Sequence, residues 1–574
     1  MEGTVDRMTG SFSMSIAEAD AQLTAPGQMF EVDEVEIRGI PTKVWKNCPA
    51  TLADILTLSR GHGDKTFLVY EDEHMTFEEH FRACAHLATI LRDRFGVREG
   101  DRVAIAMRNF PEWSVAFWAA SAAGAVVVPL NAWWTGEELQ YGLADSGTEV
   151  LIADEDRAAR IAPHLADLPE LEVTVVVRGG ASVPAEGMLR WEDVVGQVPE
   201  SAELPSVNVA TDDDATIFYT SGTTGRPKGA LGTHRNICTN PISLFYVNVR
   251  NALRAGVDAA GDGSQNAYLL SVPFFHATGC HSVLVANALA GGKLVIMYRW
   301  DAGRALELIE RERITTFGGV PTMVMQVLDH PDFDSRDTSS VKAVGYGGAP
   351  APPELVRRIQ EQFGSVPASN GYGLTETSSL STMNAGEDYV KKPDSVGPPV
   401  PVVTVKVVDA DGRELALGSV GELWIKGPNV VKGYWGKPEA TAQTFSDGWL
   451  HTGDIARLDE ENFVYIVDRA KDMLIRGGEN IYCVEIEAVL YEHPAVADAA
   501  VIGVAHPTLG EEPAAVVQVR AGCSVTESEL QEFVRTKLAS FKVPVKVWFY
   551  DGPLPRNPAG KILKRELRDE LVGA

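Results

Sequence analysis

The sequence predicts an α/β protein: a large N-terminal body of two related α/β sheets plus a β-rich subdomain, with a small mobile α/β C-terminal lid. Three observations predict it. From Asp101 onward, short apolar runs alternate with helix-length segments, the pattern of parallel sheets covered on both faces. From Pro398 the character becomes β-rich, and after Asp468 a compact α/β unit follows. The body is therefore read as residues 1–468 and the lid as residues 469–574.

Taken in order, the first 40 or so residues are polar, rich in Met and Ala and aperiodic, and a loosely ordered lead-in is expected. Val103–Met107, Ala125–Leu130 and Val150–Ala153 read as strands, separated by helices at Glu112–Ala123 and Gly136–Leu143. Ser114 to Trp134 runs 21 residues without a charge. Gly124 and Pro129 interrupt it, so it is an Ala-rich helix, a turn and a buried strand rather than a membrane span. Pro199–Asp214 is a connector. The rhythm resumes with strands at Ala267–Val272, Leu294–Met297, Thr315–Val320 and Val341–Tyr346, and helices at His281–Leu289, Ala302–Arg311 and Pro352–Phe363. The β-rich section has strands at Val403–Val408, Gly421–Lys426 and Phe463–Val467. The lid has helices at Val484–Tyr491 and Glu527–Leu538 around strands Ala499–Val504 and Ala514–Val519.

The formal net charge of −28 argues against nucleic-acid binding, which needs clustered cations to neutralise phosphate. Six scattered cysteines without a CxxC pair fit a reducing compartment, and no basic segment followed by an apolar one opens the chain. A cytoplasmic protein without a transmembrane segment is expected. The charge is uneven: Arg535–Arg568 holds nine basic residues against Asp551 and Glu566.

Tyr219-Thr-Ser-Gly-Thr-Thr-Gly-Arg-Pro-Lys-Gly229 follows an apolar strand. Thr220, Ser221, Gly222, Thr223, Thr224 and Gly225 offer hydroxyls and backbone N–H groups that can wrap a polyphosphate, and Arg226 and Lys228 supply charge. It is not a Walker A loop, since Pro227 precedes Lys228 and Gly229 follows it. His276-x₃-Cys280-His281 has no further ligand cluster beside it and is not read as a metal site.

This loop resembles the phosphate loop of the class I adenylate-forming enzymes, which include acyl-CoA synthetases, peptide-synthetase adenylation domains and beetle luciferases. Further resemblances run through nearly the whole chain. Asn370-Gly371-Tyr372-Gly373-Leu374-Thr375-Glu376 is similar to the second nucleotide motif of the family, which implies Tyr372 beside adenine and Glu376 as a Mg²⁺ ligand, with Thr223 as the other metal-side residue. Gly347, Gly348 and Ala349 resemble the loop beside the adenine. Asp454 matches the ribose carboxylate and Arg469 the ribose- and phosphate-side arginine. In Pro555-Arg-Asn-Pro-Ala-Gly-Lys561, Lys561 matches the lid lysine that bridges acyl carboxylate and α-phosphate, in preference to Lys564. Lys471 falls at the family's hinge, and Gly477, Gly478 and Glu479 at the lid loop lining the CoA tunnel. Arg476 and Cys483 replace the common Ser and Pro there. His276 resembles the gating His, and Phe317, Gly318 and Gly319 the acyl-pocket wall; paired glycines are consistent with a bulky acyl group.

The resemblance implies an acid–thiol ligase using ATP, Mg²⁺ and CoA: acyl-adenylate forms first, then the CoA thiol displaces AMP. The catalytic residues would be Lys561, Glu376, Lys228 and Thr223. The expected acid is a medium- or long-chain fatty acid or another bulky hydrophobic one, with the fatty-acyl ligase branch resembled most. The alternative is a stand-alone enzyme loading a carrier protein's phosphopantetheine. A homodimer is left open. Because both nucleotides are polyanions, the basic segment Arg535–Arg568 is expected to face the cleft in at least one lid pose.

Overall fold

The computed structural model describes residues 12–220, 226–259, 263–349, 351–364, 366–477, 479–557 and 560–573. Two eight-stranded sheets form most of the body. The first runs Gly433–Tyr434, Lys228–Thr233, Asp214–Thr220, Val126–Pro129, Arg102–Ala106, Val150–Asp154, Val173–Val177, Leu189–Arg190. The second runs Thr382–Ala385, Ala368–Tyr372, Ala343–Gly347, Thr316–Gly319, Ala267–Leu270, Lys293–Ile296, Thr66–Tyr70, Glu73–Thr76. Both are parallel in the middle and antiparallel at an edge. Strands Thr66–Tyr70 and Glu73–Thr76 come from ahead of Asp101, where no rhythm marks them, yet they complete the second sheet.

One core cluster joins the facing sides of the two sheets through the helices between them. Helix Pro111–Ala122 is buried along its length except at Glu112, with Trp113, Phe117 and Trp118 sealed inside. That placement explains why no charge follows Glu112 in it: an ionised side chain on the buried positions would lose its hydration. Gly124 then turns the chain into buried strand Val126–Pro129, as the sequence predicts.

The lead-in is not loose from Phe12 on. Ser15 and Glu18 close a capping box on helix Ile16–Leu23, and buried Arg254 donates to the Met14 carbonyl and pairs with Asp388. A hairpin of Val32–Ile37 and Ile40–Trp45 follows, with Trp45 packed on Tyr246. The low hydrophobicity conceals this because the segment packs against the body rather than forming a core of its own.

The β-rich sheet is Thr404–Val408, Gly421–Lys426, Trp449–Leu458 and Phe445–Ser446, with Val464–Arg469 paired to Trp449–Leu458. In the last unit, Val496–His506 and Gly510–Val519 pair over eleven and ten residues, longer than the apolar runs suggest. Helices Cys483–Tyr491, Glu527–Arg535 and Lys564–Val572 accompany them. Among the described residues, no helix is long and apolar enough to cross a membrane.

Candidate active site

Three structural junctions converge on one place. The hairpin from Asp214–Thr220 into Lys228–Thr233 holds the phosphate loop at its turn, with Thr220 opposite Lys228. Ser221, Gly222, Thr223, Thr224 and Gly225 lie outside the described residues. At the loop's feet, the Tyr141 hydroxyl donates to the Pro227 carbonyl at 2.9 Å, and Arg226 stacks 5.0 Å over the Tyr141 ring. Tyr219 donates to Asp145, which also pairs with Lys437.

The second junction is the C-terminal end of the second sheet. Gly347 lies beside Gly371 across parallel strands, and Gly348 follows at the exposed turn with Ala349. Asn370 is buried in strand Ala368–Tyr372. Gly373 passes so close to Ser379 that a Cβ would sit 1.3 Å from its carbonyl oxygen. A tight turn, Thr375–Thr377, then presents Glu376, whose carboxylate accepts the Tyr434 hydroxyl at 2.8 Å. The Lys228 ammonium lies 5.0 Å from the centre of the Tyr434 ring. Glu376 and Lys228 thus share one aromatic support, Tyr434, which the motif reading misses. Beyond Glu376 the backbone is strained: Ser378 and Ser379 have φ of 50° and 95°. Two buried contacts hold them there, His281 Nδ1 with the Ser378 carbonyl and Ser282 with Ser379. The helix carrying His281 and Ser282, Thr278–Val285, is π-helical, a rare form that occurs frequently at functional sites.

The third junction is the strand pair that sets Asp454 directly opposite Arg469. Asp454 is 2% exposed, and its two oxygens are shared out: Tyr372 donates to one at 2.6 Å, and Arg469 Nε lies 3.1 Å from the other. Burial, then the neighbouring carboxylate, push the Tyr372 hydroxyl well above its ordinary pKa, so it remains a donor.

Lys561 arrives here from the C-terminal unit. Its amide and the Asn557 side chain close a narrow turn, and the Arg556 guanidinium braces the Gly560 carbonyl. Gly560 has φ +79°, and a Cβ on it would lie 2.5 Å from Val320 Cγ2 of the body, so only glycine fits. Lys561 lies half-buried near Arg469, Lys471, Asp472 and Asp454; desolvation first, then the cations Arg469 and Lys471, lower its pKa to about 8. Lys471 follows strand Val464–Arg469 in a compact turn, its own pKa lowered chiefly by burial.

The structure therefore brings Thr220, Lys228, Gly347, Gly371, Tyr372, Glu376, Asp454, Arg469, Lys471 and Lys561 to one cleft. Gly477 and Glu479 are elsewhere: they form the tip of a hairpin bonded to Leu509 and Gly510 of the same unit, and Gly478 lies outside the described residues. Phe317 is a correction. Its ring is fully buried 5.8 Å from Phe363 in the core behind the second sheet, because side chains alternate along a strand and Gly318 takes the opposite face. Gly318 and Gly319 remain at the strand end, close to Ser271 and Val272. His276 is half-buried, its pKa lowered by desolvation to about 4 and its Nε2 without a partner among the described residues, so the ring is neutral.

The basic segment is largely neutralised within its own unit in this lid pose. Of its nine cations, eight pair with carboxylates of their own unit: Arg535 with Glu532, Lys537 with Glu492, Lys542 with Glu485, Lys546 with Glu527, Arg556 with Asp498, Lys564 with Glu487, Arg565 with Asp569 and Arg568 with Glu511. Net charge counted along the chain misses carboxylates that the fold brings in from Glu485 to Asp498 and Glu511 to Glu532. Lys561 alone of the nine goes to the cleft.

The donor set fits a nucleoside triphosphate: a buried, doubly held carboxylate for a diol, cations for phosphates, glycine-lined turns for a base. Glu376 is a hard oxygen ligand of the type Mg²⁺ takes beside phosphate oxygens. Among the described residues no group of three or more His, Cys, Asp or Glu forms a metal cage of its own. Such a site, at the meeting of two sheets and a small mixed unit, defines a nucleotide-binding protein.

Comparison with known proteins makes this specific. The family model described as AMP-binding enzyme matches residues 57–435, and that of the AMP-binding enzyme C-terminal domain matches residues 485–561. The chain belongs to this adenylate-forming family. It is 38% identical over 494 residues to a feruloyl-CoA synthase of Amycolatopsis sp, covering 86% of this chain and 93% of that one. It is 32% identical to a long-chain-fatty-acid–CoA ligase of Bacillus subtilis, covering 91% and 94%. The solved structure of o-succinylbenzoate CoA synthetase from Bacillus subtilis, with its acyl-adenylate intermediate, superposes with a TM-score of 0.74 at 31% identity, covering 90% and 98%. The protein is an acid–thiol ligase, and its class uses ATP, Mg²⁺ and CoA.

Proposed function

We propose that the acid is bulky, hydrophobic and ring-bearing, rather than a fatty acid in particular. One feature carries this reading. Gly318 pairs with Gly345 on the neighbouring strand and Gly319 follows it, so three neighbouring positions there lack side chains. A slot walled by backbone suits a flat acyl group. The relatives are of the same kind, since the feruloyl-CoA synthase at 38% identity and a 2-succinylbenzoate–CoA ligase of Geobacillus kaustophilus at 36% stand closer in sequence than the fatty-acid ligase at 32%.

In this reading the acid's carboxylate attacks the α-phosphorus of ATP and pyrophosphate leaves. Asp454 accepts the ribose hydroxyls, with Tyr372 and Arg469 fixing its two oxygens. Lys561 lies between acid and α-phosphate, where a point charge offsets the charge that develops. Lys228, with Ser221 and Thr223, holds the departing pyrophosphate. Glu376 and Thr223 would hold Mg²⁺, which supplies charge neutralisation at the phosphate oxygens. His276, neutral, guards the acyl side. Residues 469–574 then turn about Lys471 as a lid over body 1–468, Lys561 leaves, and Gly477, Gly478 and Glu479 line the path of the CoA thiol. The thiol adds to the acyl carbonyl, AMP departs, and the thiol proton is released. All six cysteines are free thiols, which fits the cytoplasm, where we place the enzyme.

A carboxylate panel assayed for CoA-dependent AMP release tests the acid class. Arylpropenoic and arylalkanoic acids should exceed saturated C12–C18 acids in kcat/KM by tenfold or more. The reverse order would return the enzyme to fatty acids.

A further inference from the structure

The C-terminal unit touches the body at both ends of one short helix, Pro321–Leu328. At its N-terminal end, Val320 receives Gly560, the residue before Lys561. At its C-terminal end stands Asp329, and each of its oxygens takes one arginine. Arg358, from helix Pro353–Phe363 of the body, reaches Oδ1 at 2.6 Å. Arg520, from the turn after lid strand Gly510–Val519, reaches Oδ2 at 2.6 Å. Arg520 is already shaped for this: its Nε donates to the Pro494 carbonyl at 3.2 Å and its Nη2 to the Val496 carbonyl at 3.0 Å. Its remaining nitrogen, Nη1, is the one that reaches out of the lid.

Asp329 is badly placed for the helix itself. A carboxylate at a helix C-terminus faces the negative end of the macrodipole, which disfavours it. Two cations converging on it compensate, and one of them belongs to the other unit. Eight residues at 1.5 Å rise separate the two contact points by about 12 Å. Two points that far apart fix an orientation as one cannot.

We infer that Asp329 and Arg520 are positioning residues for adenylate formation: they latch the lid in the pose that puts Lys561 beside Asp454 and Arg469. The latch acts through Lys561 and so rests on the role proposed for that lysine. Arg358 holds Asp329 ready on the body side. Turning the lid for thioester formation must break the Arg520–Asp329 pair, so the latch favours the first half-reaction over the second. Both side chains are about one-third exposed, at 30% and 33%, so the pair is worth a small factor and is open to screening.

The test measures the half-reactions separately on the full-length enzyme, using an acid that the panel identifies. Pyrophosphate release in a single turnover reports the first; thioester formation from pre-formed acyl-adenylate and CoA reports the second. Arg520→Ala should slow the first about three- to fivefold and leave the second unchanged or faster. Arg520→Lys should restore part of the loss. Asp329→Asn should match Arg520→Ala, and the double variant should be no worse than either alone. Raising NaCl to 0.5 M should bring the wild type to the variants' rate. Equal losses in both half-reactions, no loss in either, or additive losses in the double variant would overturn the latch. Lys561→Ala, run alongside, separates the two levels. If it spares neither half-reaction selectively, the role given to Lys561 fails and the latch falls with it. If it slows only the first while Arg520→Ala changes nothing, the latch alone is wrong.

Discussion

The depressed pKa of Lys561 makes adenylate formation sensitive to pH in a range where an ordinary lysine is silent. Burial, with Arg469 and Lys471 as like-charged neighbours, brings the ammonium down to about 8 in the free enzyme. Between pH 7 and pH 9 the charged fraction then falls from about 10/11 to about 1/11, a tenfold loss, whereas a lysine near 10.4 would stay almost wholly charged. The sign is set by the role: the charged form is the active one, so the rate falls as pH rises. Since kcat/KM reports the free enzyme, the assay is kcat/KM for ATP in acid-dependent pyrophosphate release, taken from pH 6.5 to 9.5 without CoA. The expected profile falls about tenfold with a midpoint near 8. Lys561→Arg should be slower but flat over the same range, because a guanidinium does not titrate there. Thioester formation should rise with pH instead, following the thiolate of CoA. A flat wild-type profile, or a parallel fall in Lys561→Arg, would refute the assignment.

Tyr372→Phe removes one of the two groups holding Asp454 and keeps the ring; a lost hydrogen bond to a charged group should raise KM for ATP about tenfold in steady-state assays. Lys564→Ala leaves Glu487 and Asp468 buried without their cation, and thermal denaturation should register a loss on the order of 3 kcal/mol. Lys561→Met should do the opposite, leaving the melting temperature unchanged or higher, since it removes a desolvated ammonium set beside two other cations, Arg469 and Lys471. Gly560→Ala meets both a left-handed backbone and Val320, and should slow adenylate formation in single-turnover assays more than it slows thioester formation.

What could be read in the sequence was local. Helix Ala302–Arg311 and strand Gly421–Lys426 fall where periodicity places them, because each buries one face against its own sheet. The cleft residues were legible because the chemistry of polyphosphate binding concentrates glycines and hydroxyls in short runs. What escaped was set by distant partners. Strand Trp449–Leu458 reads as a motif of polar residues, yet it is ten residues of sheet held by Gly421–Lys426 and Val464–Arg469. Ser15 and Glu18 spell a capping box, but nothing nearby shows that the helix would dock on helix His234–Ala255. Phe317 looked like a pocket residue because its neighbours are glycines, and strand alternation turned it the other way. The cations of Arg535–Arg568 looked free because their partners lie far off along the chain.

The central claim, that this cleft activates a carboxylic acid with ATP before any thiol is needed, is tested most directly by acid-dependent exchange of labelled pyrophosphate into ATP in the absence of CoA. The account predicts exchange with a ring-bearing acid, its loss in Lys561→Ala, and AMP with acyl-CoA as products once CoA is added. ATP binding without exchange across a broad acid panel, or ADP as the product, would contradict it.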